Sequence, residues 1–167
     1  MGMFCYQCEQ TAKGTGCTVQ GVCGKDPDTA ALQDLTLYAA KGVSMYADRA
    51  RKLGEKDEEI DIGVTEALFT TVTNVNFDPE RLEKVIRNLV VLRDKAKDLY
   101  EKAGSDLEEL AGPASWQPAG DLAGFIRQGK DIGIEKRKTT LGEDITGLQE
   151  LLTYGLKGTA AYADHAH

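Results

Sequence analysis

All four cysteines of this 167-residue chain lie between residues 5 and 23, and the 144 residues that follow hold none. Their spacing is Cys5-x2-Cys8-x8-Cys17-x5-Cys23. A disulfide framework distributes its cysteines so that distant segments are tied together. Four cysteines in one short stretch point instead to a single local ligand set. Gly14, Gly16, Gly21 and Gly24 interleave with Cys17 and Cys23. Glycine lets a backbone turn tightly and approach a ligand closely. Residues 3–25 show no helical periodicity and read as a loop wrapped around a bound group.

The spacing narrows what that group is. A CxxC pair sets two thiolates on one side of a tight turn, and two more cysteines on Gly-bearing loops can close a four-thiolate cage. Iron–sulfur clusters take such cages and favour backbone N–H groups aimed at sulfur. Structural zinc also takes four cysteines, but zinc ribbons pair CxxC with a second CxxC, and here the second half is x5. From spacing alone iron–sulfur leads, with zinc and disulfides left open. The thioredoxin-like reading of CxxC is weak, because no βαβ pattern surrounds it. Lys13 and Lys25 are candidates to offset thiolate charge, or are simply solvated.

The rest of the chain reads as helix. Asp26-Pro27 is an N-cap followed by Pro at the first helical position. From there Leu32, Leu35, Tyr38, Ala39, Gly42, Val43, Tyr46 and Ala50 recur every three or four residues, up to a stop at Gly54. Residues 58–75 carry a second stripe through Val64, Ala67, Leu68 and Val72. Their β-branched run could also form a strand, but helical neighbours favour helix. Asp78-Pro79 repeats the start signal, and Leu82, Ile86, Leu89, Leu92, Ala96 and Leu99 form the seam of a third helix closed by Gly104. Three amphipathic helices with short connections make a bundle. Residues 104–120 read as an irregular connection that Trp116 packs down, 121–129 as a short helix, and 130–142 as a polar, solvated loop.

Leu148–Ala166 matches Leu32–Ala50 at ten of nineteen positions with a fixed offset of 116, including Lys-Gly and Tyr-Ala-Asp. That is an internal duplication rather than two merely similar helices. The first copy is followed by two more helices and the second by none. The chain therefore reads as a piece of a longer protein, cut inside a second bundle.

Charge and composition exclude several function classes. Net charge is −7, with basic residues scattered among acidic ones, which argues against nucleic acid. No apolar run is long enough to span a bilayer, and the N-terminus lacks the regions of a signal peptide. A cytoplasmic address with no membrane partner is expected. His165 and His167 are the only histidines and read as surface residues rather than ligands. The Asp57-Glu58-Glu59 run reads as a solvated helix start. No phosphate-binding loop, nucleophile elbow or other complete active site appears, so no catalytic residue is expected here.

Met3–Lys25 (MFCYQCEQTAKGTGCTVQGVCGK) closely resembles the N-terminus of the hybrid-cluster proteins, also called prismane proteins or hydroxylamine reductases. The resemblance continues through ALQDLTLY, ALFTTVTNVNFDP and LQELLTYGLKGTAAYADHA, and so covers nearly the whole chain. It implies that Cys5, Cys8, Cys17 and Cys23 are the proximal-cluster ligands. The x2-x8-x5 spacing resembles the class carrying a cubane [4Fe–4S] cluster, whereas longer spacings go with [2Fe–2S]. It further implies an N-terminal domain of two three-helix bundles followed by two Rossmann-like domains. A second, hybrid iron–sulfur–oxygen cluster would be held there, and nitrogen-oxide chemistry would occur on it. None of that cluster's ligands can be placed on this sequence, Glu9 and the terminal histidines included.

The expectation is an all-α chain. Residues 1–25 form the cluster-binding loop, 26–104 a three-helix bundle, 105–143 a connecting segment with a short helix, and 144–167 the start of a second bundle. Its expected function is electron transfer within a hydroxylamine or nitric oxide reductase type oxidoreductase, not turnover by itself. The expected partners are the remaining domains of the parent protein and a redox donor protein. The alternatives are a structural zinc-binding interaction module and the N-terminal domain of a carbon monoxide dehydrogenase-like enzyme, which the MFCYQCEQTA opening disfavours.

Overall fold

The computed structural model describes residues 2–104 and 108–166. Among them the regular elements are helical, apart from a two-residue bridge between Cys5 and Cys17. The six α-helices are α1 (Pro27–Lys52), α2 (Glu58–Thr70), α3 (Pro79–Ala103), α4 (Leu122–Ile132), α5 (Ile134–Leu141) and α6 (Glu143–Asp164). The fold is all-α, as the periodicity predicts.

The helix starts follow from their capping residues. The Asp26 carboxylate accepts the N–H groups of Asp28 and Thr29, each at 2.8 Å, and Pro27 supplies the preset first turn. Asp78 accepts from Glu80 at 2.9 Å and Arg81 at 3.3 Å. Asp57 and Asp121 cap α2 and α4 in the same way. At the end of α1, Gly54 adopts φ 96°, a left-handed conformation that a side chain would strain.

α1 is the central helix. Its Leu32 and Leu35 join Leu82 and Ile86 of α3 and Phe125 of α4 in one core cluster. Further along, Val43, Tyr46 and Ala50 meet Ile60 of α2 and Leu89, Leu92, Ala96 and Tyr100 of α3. α4 lies close on α1 because residue 129 is glycine; a Cβ there would collide with the Ala31 carbonyl. Trp116 stands edge-on to Tyr38 and tilted against Phe125, with ring centroids 6.3 and 6.4 Å apart. The nearly buried Arg93 donates to the Trp116 carbonyl. These contacts hold the irregular connection against the bundle.

Two expectations need correction. The second helix ends at Thr70 rather than 75. The β-branched residues after it form turns, with Asn74 at φ 64°, so they are neither helix nor strand. The stretch 130–142 is not a loop: α4 runs to Ile132 and α5 follows at once. α5 is polar around most of its surface yet rich in good helix formers, and it docks through Ile134, its one buried residue.

α6 packs on α2 and α5, and with it the duplicated sequence shows opposite burial in its two copies. Leu32 and Leu35 of α1 are fully buried, whereas their counterparts Leu148 and Leu151 are 67% and 68% exposed. Tyr46 is buried and its counterpart Tyr162 is exposed. Thr146, Glu150, Thr153, Lys157 and Ala160, spaced three and four apart, face inward instead. Among the described residues no helix is long and apolar enough to cross a membrane.

Candidate metal centre

The segment before α1 folds back on itself through the Cys5–Cys17 bridge. Cys5 N–H donates to the Cys17 carbonyl at 3.1 Å, and Cys17 N–H returns to the Cys5 carbonyl at 2.8 Å. Met3 N–H adds a bond to the Thr18 carbonyl at 3.1 Å. Residues directly opposite in an antiparallel pair present their side chains to the same face. The bridge therefore sets the thiols of Cys5 and Cys17 side by side. Gly16 makes the turn possible, since a Cβ there would strike the Phe4 ring.

The sulfurs receive positive partners. Ala12 N–H donates to Cys17 Sγ at 3.5 Å. That bond, a second from Val22 N–H, the Thr11 hydroxyl and the Lys25 charge hold the buried Cys17 thiol below its usual pKa, against the opposing effect of burial. Lys25 Nζ donates to Cys5 Sγ at 3.7 Å. Gly21 lets Cys23 and Lys25 pass close together: a Cβ there would lie 3.0 Å from both Cys23 Sγ and Lys25 Cβ. The Gly21 N–H bonds the Lys25 carbonyl at 2.8 Å, closing the loop just before the Asp26 cap.

The four cysteines thus occupy one loop in graded depth. Cys17 is buried, Cys5 and Cys8 are half-buried, and Cys23 is exposed; all four are free thiols. Cys8 lines a cavity of about 600 Å³ between this loop and α6. Among the described residues, no three His, Cys, Asp or Glu side chains converge as ligands to a single metal ion. Free thiols with N–H and ammonium donors aimed at sulfur are the donor chemistry that an iron–sulfur cluster takes, and the residues fit such a group. Of the two lysines considered above, Lys25 is the one at the sulfurs; Lys13 is exposed. His165 caps α6 and stacks edge-on against Phe69 at 5.5 Å, while His167 lies outside the described residues.

Behind the loop lies a polar group that periodicity alone does not reveal. Lys157 of α6 is 4% exposed and donates to the Thr71 carbonyl at 3.3 Å. Burial pushes its pKa down to about 8, with Asp34 and Glu150 opposing. Asp34 of α1 is pushed up to about 7 by burial and by the charge of Glu150, against Lys157, Arg137 and Lys25. Arg137 of α5 pairs with Glu150 of α6. The signal in the sequence was the Lys-Gly pair shared by the two copies, Lys41 and Lys157.

Comparison with known proteins adds to this geometry. The Prismane/CO dehydrogenase family matches residues 3–167. A hydroxylamine reductase of Geobacter sulfurreducens is 53% identical across all of this chain. Those of Rhodospirillum rubrum and Methanocella arvoryzae are 54% and 51% identical across 98% of it. The chain spans 31%, 31% and 30% of the length of these three relatives.

Proposed function

The chain belongs to the Prismane/CO dehydrogenase family, and on that premise we propose that Cys5, Cys8, Cys17 and Cys23 hold a [4Fe–4S] cluster that serves electron transfer. A [2Fe–2S] cluster is the alternative. The observation that carries this reading is the Cys5–Cys17 bridge, with N–H groups and the Lys25 ammonium turned toward sulfur. When bound, such a cluster supplies reversible one-electron transfer. The chain's own residues set its surroundings. The bridge orients two thiols, the Ala12 and Val22 amides and Lys25 favour the anionic form of Cys17, and the exposed Cys23 marks the edge nearest solvent.

The relatives' name, hydroxylamine reductase, supports a parent protein of that oxidoreductase type. In that reading the nitrogen-oxide chemistry belongs to the portion of the parent beyond the region matched here. α6 opens a second bundle in the parent, and the exposure of Leu148, Leu151 and Tyr162, whose α1 counterparts are core, supports that division. A redox donor protein would approach at Cys23, where Val19 and Val22 stand 78% and 62% exposed. Free thiols suit a reducing compartment, so a cytoplasmic address is proposed with it.

The test is reduction of the anaerobically purified chain with dithionite, followed by electron paramagnetic resonance and by assay of hydroxylamine consumption. One unpaired electron per chain and no consumption are expected. Turnover by this chain alone would overturn the division of labour, and a cluster that takes up no electron would overturn the transfer role.

A further inference from the structure

We infer that Lys25 is a buried counter-charge that sets the reduction potential of the group held by the cysteine loop; the inference rests on the iron–sulfur reading above. Lys25 is 3% exposed. Its ammonium donates to Cys5 Sγ at 3.7 Å and lies 5.7 Å from the centre of the Phe77 ring. Among the described residues it takes part in none of the ion pairs to carboxylates. An ammonium withdrawn from water needs an anion or strong dipole beside it. Here a cysteine sulfur and an aromatic face take that place.

Its position is fixed by the backbone rather than by a flexible reach. The Lys25 carbonyl accepts the Gly21 N–H at 2.8 Å, and the next residue is the Asp26 cap of α1. Gly21 leaves room for Lys25 Cβ and Cys23 Sγ to pass within 3.0 Å of where a Cβ would stand. The stem is therefore clamped between a cysteine and the first turn of a helix. Lys13, the other lysine of the loop, is exposed, and water screens it.

One electron added from a reductant such as dithionite makes the thiolate-bound group one charge more negative. A fixed positive charge at contact stabilises the reduced form more than the oxidised form, and the low dielectric of a buried site magnifies the difference. Lys25 thus raises the potential.

The test is a redox titration of the anaerobically purified chain, monitored by electron paramagnetic resonance, with iron and sulfide measured on each sample. Lys25→Met and Lys25→Gln should keep iron and sulfide and become harder to reduce by at least tenfold, a fall of about 59 mV for one electron. Lys25→Arg should stay near the parent value. Neutral variants that keep their cluster at an unchanged potential overturn the inference. If both neutral variants lose the cluster while Lys25→Arg keeps it at the parent potential, the charge holds the cluster rather than setting its potential, which overturns the inference. Loss of the cluster in Lys25→Arg as well overturns it, because shape rather than charge would then be the requirement. Zinc without sulfide in the parent chain overturns the iron–sulfur reading itself, a result distinct from an unchanged potential.

Discussion

Truncating Leu35 and Leu151 to alanine, one at a time, should have very different costs although the two occupy matching positions of the duplicated segment. Leu35 is fully buried between α1, α3 and α4. Leu35→Ala removes three buried carbons at about 0.8 kcal/mol each, or about 2.4 kcal/mol of transfer energy. The void left in a close-packed core raises the loss to about 3–4 kcal/mol. Leu151 is 68% exposed, so only about a third of its transfer energy is at stake and Leu151→Ala should cost below about 1 kcal/mol. Urea unfolding followed by far-ultraviolet circular dichroism reads both values, with equal slopes expected. A loss above about 2 kcal/mol for Leu151→Ala would refute the reasoning, because it requires the outer face of α6 to be covered in solution. A midpoint that rises with protein concentration would identify a second copy as the cover.

Two further outcomes follow from the polar residues. Asp34 holds its proton in the folded chain up to about pH 7, pushed there by burial and by Glu150, whereas an unfolded aspartate loses it near the ordinary value of 3.8. The fold therefore favours the protonated form: this contribution is complete below the unfolded value and is lost as pH rises toward 7. Asp34→Asn should remove that slope and stabilise the chain by up to about 4 kcal/mol at alkaline pH, with little effect in acid; denaturation at several pH values checks it, and an unchanged slope would contradict it. Asp26→Ala strips two amide partners and the Thr29 hydroxyl from one carboxylate. It should cost about 1–2 kcal/mol and lower the melting temperature by about 2–8 °C in thermal denaturation; an unchanged melting temperature would mean that the cap contributes nothing.

Helix starts were legible because they are local. Asp26-Pro27 and Asp78-Pro79 carry both the cap acceptor and the preset φ within two residues. The end of α2 was less legible, since Thr70 to Val75 suit several backbones and the choice was made by the turn around Asn74. α5 was missed because its stripe has a single buried residue, Ile134, and a pattern search needs more than one. Cysteine spacing marked the site, but not the depth of each thiol. Whether Lys13 or Lys25 meets sulfur depends on the path of the loop back to Asp26. The burial of Lys157 within reach of the Asp34 charge was also invisible, because it depends on which face of α6 turns inward. With Leu148, Leu151 and Tyr162 turned outward, it is the polar stripe Thr146, Glu150, Thr153 and Lys157 that α6 buries.

The central claim is that four cysteines in one loop hold an iron–sulfur cluster. The direct measurement is iron, acid-labile sulfide and zinc on the chain purified without oxygen, together with its absorption spectrum. The account predicts brown protein with about four irons and about four sulfides per chain and zinc absent. Colourless protein with zinc and no sulfide would contradict it.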